Sequence, residues 1–337
     1  TQFFFGNQPG VLFDQQLAFL DRDDALATQT ARGVTASGIY PFNRYARLEL
    51  SGGYLRFSQA FREPALQQAA DEFQQGQIGR TVFSNGSFMP LGVAYVQETT
   101  VFREYGPLAG NSVRVGYEYA PNWGRLLSRQ TADIDARYYR RLGTNGVLAL
   151  RARGFRSWGD FPGFLYFGGN SELRGYDYLE FLGNKAFFTN AELRFPLIEA
   201  ALTPLGVVGG LRGTAFVNFG AAGFNGVPMK VWTSSPVALT PLLGFIPDVL
   251  SPTGAQPVFG QTASIPGFKL VDGRASYGIG LETFALGFPI HFDWSWRTLF
   301  NRQWEDVVFA FQGLREGKSG SEWFRTPRFS VWMGYDF

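Results

Sequence analysis

Ile290-His291-Phe292-Asp293-Trp294-Ser295-Trp296-Arg297 takes strict turns between apolar and polar residues. Ile290, Phe292, Trp294 and Trp296 fall on one face; His291, Asp293, Ser295 and Arg297 fall on the other. A period of two is the signature of a β-strand. The rhythm recurs in Asp133-Ile134-Asp135-Ala136-Arg137-Tyr138 and in Val113-Arg114-Val115-Gly116-Tyr117-Glu118-Tyr119. Leu148, Leu150 and Ala152 oppose Arg151 and Arg153, and Phe329, Val331, Met333, Tyr335 and Phe337 oppose Ser330, Gly334 and Asp336. A soluble sandwich also alternates, but with a polar outer face and a packed aliphatic inner one. Here one face carries large aromatics and the other carries glycine and charges of both signs. A transmembrane barrel needs that inversion, with lipid outside and a polar lumen inside.

Worked along the chain, the pattern predicts strands near 11–20, 28–40, 44–58, 87–99, 111–120 and 129–140. Six more follow near 145–156, 185–196, 210–221, 273–286, 289–298 and 327–337. Most are at or slightly above the roughly 9–11 residues that a tilted strand needs to cross hydrocarbon. Short links at Tyr40–Arg44, Arg141–Asn145 and Leu286–Pro289 fall on one rim. The long stretches 59–86, 157–184, 222–272 and 299–326 fall on the other. The expectation is an all-β, antiparallel transmembrane barrel of about twelve strands, a single domain over 1–337. The stretches 59–86 and 222–272 are where a further hairpin could hide, and sixteen strands is the alternative.

Composition narrows the class. Aromatics make up 17% of the 337 residues, charged residues only 17%, and there are 35 Phe and 42 Gly. Mean hydropathy is −0.08, and apolar runs fall short of the ~18 residues of a membrane helix. A net charge of +2 predicts no nucleic-acid partner. The absence of Cys excludes a disulfide framework or thiolate metal site. One histidine, His291, gives neither a metal set nor a hydrolytic triad. Asp293 and Ser295 follow it on the same face, yet Ser295 would lie roughly 13 Å away at ~3.3 Å per residue. No cofactor is expected, and the chain is read as non-enzymatic.

From about Trp158 onward the chain resembles the bacterial surface-antigen superfamily, the outer-membrane barrels typified by BamA, TamA and the two-partner-secretion transporters. Four landmarks stand in order. Phe167-Gly168-Gly169-Asn170-Ser171-Glu172-Leu173-Arg174-Gly175-Tyr176 is similar to that family's glycine-led RGF/RGY loop. Gly183-Asn184-Lys185 leads to Asn190-Ala191-Glu192-Leu193-Arg194-Phe195-Pro196, similar to the strand after the loop. Phe216-Val217-Asn218-Phe219-Gly220 stands where the family has an aromatic, an acid and a glycine. Tyr277-Gly278-Ile279-Gly280 with Leu286-Gly287-Phe288-Pro289 precedes a last strand ending in Phe. In the first half, Val34 to Glu49 and Gly106-Pro107-Leu108-Ala109-Gly110 resemble superfamily barrels fused behind a periplasmic propeller. The chain departs from the pattern at Asn218, where the family's acid is missing. About 160 residues precede the RGY loop, fewer than a sixteen-stranded member would need there. About ten residues precede the first predicted strand, so no POTRA-type periplasmic domain is expected in this chain.

The resemblance implies that the loop folds inward and that Arg174 meets inward-facing acids, with Glu192, Glu282 and Asp293 the candidates. An arginine fork holding a carboxylate in a confined polar space could pin the loop as a plug. Gly168, Gly169 and Gly175 would permit the loop's turns, beside Arg174 and Tyr176. The bland alternative is an ordinary solvated loop. Arg47, Glu49, Arg114, Glu118, Asp133, Asp135, Arg137, Arg151, Arg153 and Arg194 would line the interior. With both signs interleaved, a mutually neutralising lattice is favoured over a pore's selectivity field. Phe329, Val331, Met333, Gly334, Tyr335 and Phe337 look like the C-terminal signal by which such barrels are recognised for assembly.

The implied setting is the bacterial outer membrane, with the lipid bilayer as partner, lipopolysaccharide among the lipids it could meet, and a periplasmic protein or domain. The implied activity is polypeptide insertion or translocation at a seam between the first and last strands. A plugged barrel anchoring partner proteins is the alternative, and a passive diffusion pore the third reading.

Overall fold

The computed structural model describes residues 27–61, 64–78, 85–103, 106–143, 146–203, 206–247, 255–285, 288–309 and 321–334. The chain is all-β and built on one large antiparallel sheet. Its strands are β1 (Ala27–Pro41), β2 (Ala46–Phe61), β3 (Asn85–Phe88), β4 (Leu91–Glu98), β5 (Val101–Arg103) and β6 (Gly106–Ala120), then β7 (Arg129–Leu142) and β8 (Gly146–Trp158). After two short strands, β9 (Leu165–Phe167) and β10 (Phe181–Gly183), come β11 (Lys185–Thr203) and β12 (Gly206–Gly223). The sheet order is β1-β2-β4-β6-β7-β8-β11-β12, continuing through β19 (Gly273–Ala285), β20 (Phe288–Thr298) and β21 (Arg328–Met333). β3 adds to β2 and β5 to β6.

Eleven of the twelve strands expected from periodicity lie on this path. The twelfth, near 11–20, falls outside the described residues. The order is open among the described residues, with β1 at one end and β21 at the other. β11 and β12 run well past their expected ends, with a register shift between Pro196 and Ile198. Helix α1 (Pro64–Ile78) lies in the 59–86 stretch, expected as a long connection in which a hairpin could hide. Pro64 stands at its first position, where its missing N–H costs nothing; neither Gly nor Pro follows over residues 65–75, and alternation is absent there, so a helix is the favoured local solution.

The 222–272 stretch does hold a hairpin. Its two arms pair as β13 (Trp232–Thr233) with β18 (Lys269–Leu270), β14 (Val237–Leu239) with β17 (Ala263–Ile265), and β15 (Leu242–Pro247) with β16 (Ala255–Phe259). An isolated two-stranded ladder is marginal, and its base is tied down. Buried Lys269 donates from Nζ to the carbonyls of Ser235, Ile265 and Gly267 at 3.0, 2.9 and 2.9 Å. Trp304, on α2 (Arg302–Val308), donates from Nε1 to the Leu270 carbonyl at 2.6 Å. A further short helix, α3 (Glu322–Arg325), completes the 299–327 connection.

The chain divides into two compact units: residues 1–96, 114–133 and 155–164, and residues 97–113, 134–154 and 165–337. In the first, Phe57, Phe88, Ala120, Leu127 and Phe161 form an apolar cluster, with Phe57 stacked on Phe161 at 3.9 Å between ring centres. In the second, burial is reversed from that of a soluble sheet. Val217, Ile279 and Tyr277 are 55%, 56% and 49% exposed, while Arg194, Glu192, Glu282 and Asp293 are each 1% exposed. Isolated exposed apolar side chains are ordinary, but a continuous apolar face of this kind marks a non-aqueous neighbour.

Candidate functional site

β20 carries the pattern that builds the site. His291, Asp293, Ser295 and Arg297 are buried, while Phe292, Trp294 and Trp296 on the other side stay partly open. Register then sets the neighbours: Gly280 of β19 faces Asp293, and Gly278 faces Phe216 of β12 and Ser295 of β20. A Cβ at Gly278 would meet the Phe216 ring at 2.5 Å, and one at Gly280 would collide with the Asp293 carboxylate and meet the Thr214 hydroxyl at 2.5 Å. The two glycines of the Tyr277–Gly280 motif thus open space on the polar face for an aromatic ring and a carboxylate.

Into that space comes the 168–180 loop. Arg174 is 3% exposed. Its Nη1 lies 2.5 Å from Glu192 Oε1, and its Nε lies 3.3 Å from Asp293 Oδ2. Its Nε also donates to the Asn170 carbonyl at 2.8 Å, and its guanidinium carbon sits 4.3 Å from the centre of the Phe216 ring. Glu192 is shared, accepting from Arg194 Nε and Nη2 at 2.8 and 2.5 Å. Two guanidinium groups and two carboxylates therefore form a cluster whose formal charges cancel. Buried charge survives only where such pairing and hydrogen bonding offset desolvation.

Each residue expected at this site has a definite place. Glu192 and Asp293 adjoin Arg174; the third candidate, Glu282, lies 3.7 Å from Arg212 Nη1. Gly168, Gly169 and Gly175 all have positive φ, at 132°, 85° and 87°. At Gly175 the reason is double, because a Cβ would also meet Ser295 Oγ at 3.0 Å. Tyr176 is buried and donates to the Ala275 carbonyl at 3.2 Å, and burial pushes its phenol up from the ordinary range. Asn218 belongs to a neutral ladder. It accepts from Asn190 Nδ2 at 2.9 Å and donates to Ser276 Oγ at 3.1 Å. Asn190 also donates to the Glu172 carbonyl at 2.5 Å, tying the loop down without charge.

On the last strand, Phe329, Val331 and Met333 are exposed on one side and Gly334 has φ 151°. Tyr335 and Phe337 lie outside the described residues. Trp332, on the other side, is a participant that the pattern reading overlooked. Its Nε1 donates to Asp293 Oδ2 at 2.8 Å, and its ring stacks on His291 at 3.8 Å and 7°. The available signal was a large aromatic at a position whose neighbours on the same face are Ser330 and Gly334. His291 Nε2 donates to the Gly334 carbonyl at 2.9 Å. A second tie joins the loop to this strand, Arg328 Nη1 to Asp177 Oδ1 at 2.7 Å.

Apart from Arg153, the charged residues expected to line the interior pair within each unit. In the first, Arg47 meets Glu49 at 2.8 Å, Arg114 meets Asp133 at 2.6 Å, and Arg129 meets Glu118 at 2.7 Å. In the second, Arg137 and Arg151 both hold Asp135, at 3.0 and 2.9 Å.

In fold the chain resembles an outer-membrane β-barrel. BamA from Haemophilus ducreyi lacking POTRA domains 1–3 superposes with a TM-score of 0.52 at 13% identity, covering 83% of this chain and 52% of that one. CdiB from Acinetobacter baumannii and CdiB from Escherichia coli give TM-scores of 0.44 and 0.45 at 13% and 12% identity. They cover 82% and 91% of this chain and 40% and 45% of theirs. The chain thus spans about half the length of the solved structures it resembles. No protein-family model and no curated protein matches it.

The loop also carries a pH-sensitive element. Glu180 is exposed as a residue, but crowding around its carboxyl, with Asp177 nearby, holds that group above its ordinary value of 4.5, even though it accepts the Asp177 N–H at 2.7 Å. A carboxyl whose folded pKa is raised costs stability once ionised. That cost is absent below the unfolded value near 4.5 and grows as pH rises through the folded value. Glu180→Gln keeps an acceptor and removes the charge. Amide hydrogen exchange over 168–180 should therefore be slower in the variant at neutral pH. The difference between the two proteins should vanish as pH approaches 4.5.

Proposed function

We propose that this chain is a single non-enzymatic β-barrel of the bacterial outer membrane, of the BamA and two-partner-secretion kind. In this reading it handles polypeptide at a seam between its end strands, without a cofactor. Its apolar face meets lipid and its polar face is the lumen, so the 168–180 loop is an inward plug braced by Arg174. The reversed burial supports the membrane setting, because a bilayer rewards an apolar exterior and tolerates charge only where it is paired inside.

The observation that supports the seam is the state of the last strand. β21 is six residues long beside the eleven of β20, and Gly334, with φ 151°, follows its last residue. Backbone groups left free along such a short last strand can template an incoming strand. A scan of cysteine pairs between the first expected strand, 11–20, and the last, 327–337, tests this. Oxidised variants should lose insertion of an unfolded barrel protein into vesicles and regain it on reduction. Full activity in the cross-linked form would defeat the seam.

The alternative, a permanently plugged barrel that anchors a periplasmic or surface partner, draws its support from the number of ties on the loop. Removing 168–180 separates plug from pore. In planar bilayers the deletion should open large, long-lived conductance while the intact chain stays nearly closed. Equal conductance from both would restore the diffusion-pore reading.

A further inference from the structure

On the apolar side of the sheet, β1 and β2 bring two arginines face to face. Arg32 and Arg56 are directly opposed in the antiparallel register, on the same side as the neighbouring pair Val34 and Tyr54. Both arginines are exposed, and among the described residues neither has an ion pair. Like charges directly opposed destabilise a ladder, so the pairing calls for an anion. The row continues onto β3, where Ser87 faces Arg56, and the Tyr54 hydroxyl lies 3.1 Å from the Ser87 hydroxyl. Two guanidinium forks flanked by two hydroxyls make a donor-rich patch of the kind that suits phosphate.

Its height on the sheet indicates which phosphate. At the opposite end of these strands Tyr40 packs edge-on against Phe42 at 5.6 Å, and Phe42 lies 6.4 Å from Tyr95. Such aromatics mark one boundary of an apolar band about 25 Å tall. Arg32 lies eight residues along β1 from Tyr40, which is ~26 Å of strand and ~20 Å of height at a ~40° tilt. The arginine pair therefore falls near the far boundary, where hydrocarbon gives way to head groups. Guarding β1, the end of the sheet among the described residues, with charge would explain Arg32, but it leaves unexplained Arg56 on the inner neighbour.

We infer that Arg32 and Arg56, with Tyr54 and Ser87, form a binding site for the phosphate of an anionic lipid head group at the long-loop boundary of the membrane. The inference rests on the reading of the apolar face as lipid-facing. Native mass spectrometry of the intact chain in detergent, titrated with phosphatidylglycerol or phosphatidylcholine, would test it. The wild type should prefer phosphatidylglycerol by roughly tenfold, Arg32→Gln/Arg56→Gln should fall to near parity, and Arg32→Lys/Arg56→Lys should keep part of the preference. An unchanged preference in the glutamine variant would overturn the site. So would displacement of lipid by inorganic phosphate at equal concentration, which would make it an ion site. Self-association of the glutamine variant with lipid binding unaltered would make the pair an edge guard instead. Flotation with phosphatidylcholine vesicles keeps the two levels apart: a wild type that fails to co-float defeats the membrane reading itself, whereas co-flotation with no head-group preference defeats this site alone.

Discussion

Arg174→Ala is expected to unseat residues 168–180 and to cost about 3–5 kcal/mol of stability, the usual penalty for stripping one partner from a buried ion pair. The lost attraction is the smaller part of that figure. Glu192 would keep Arg194, but Asp293 would lose a guanidinium 3.3 Å away and the Phe216 ring would lose its stacked cation. Lysine should rescue little. Arg174 reaches Glu192, Asp293 and the Asn170 carbonyl at once, and one ammonium cannot span that set as a planar fork does. Urea unfolding of the variant, with limited trypsin digestion reporting on Arg174's own loop through Lys185, would check both claims. Wild-type stability and wild-type protection of the loop in Arg174→Ala would show that the neutral ties, Asn190 to Glu172 and Tyr176 to Ala275, are sufficient alone.

Asp293→Asn is the second large expectation, and its effects should appear in two places. Asp293 Oδ2 takes the N–H of Trp332 on the last strand while lying beside Arg174 from the loop. Asparagine can still accept from the indole but cannot neutralise the guanidinium, so a loss of about 2–4 kcal/mol is expected, weighted toward the loop. Trp332→Phe should do the converse, loosening the strand and leaving the carboxylate to Arg174. Because one carboxylate serves both elements, seating of the loop and seating of β21 should favour each other reciprocally. Hydrogen exchange read separately over 168–180 and 328–333 measures this, with a coupling of roughly 1 kcal/mol or more in the Arg174→Ala/Trp332→Phe cycle. Strictly additive effects would mean that the loop and the last strand merely share a neighbour.

Strand positions were legible because their cause is local. A side chain on a strand must point to one face or the other, so alternation in Val113–Tyr119, Asp133–Tyr138 or Ile290–Arg297 already states which residues lie together. The inverted character of the two faces was legible for the same reason. Helix α1 was not, and the hairpin from β13 to β18 was legible only as a hairpin that 222–272 could hold, since neither presents an alternating face to a broad sheet. The RGY motif singled out Arg174 and three acids. Which acids it meets depended on register: Glu192 and Asp293 reach it, while Glu282, equally well placed by parity, lies beside Arg212.

The sequence by itself determined the strand rhythm, the polarity of each face and the loop whose glycines can turn. Only the tertiary structure decided the pairing of Arg174 and the part played by Trp332. It also decided that Arg32 opposes Arg56, and that Asn218 stands in a neutral ladder where an acid was expected. The physical reason is that face is set by a residue's parity along its own strand, whereas a partner is set by the hydrogen-bonded register between strands distant in sequence.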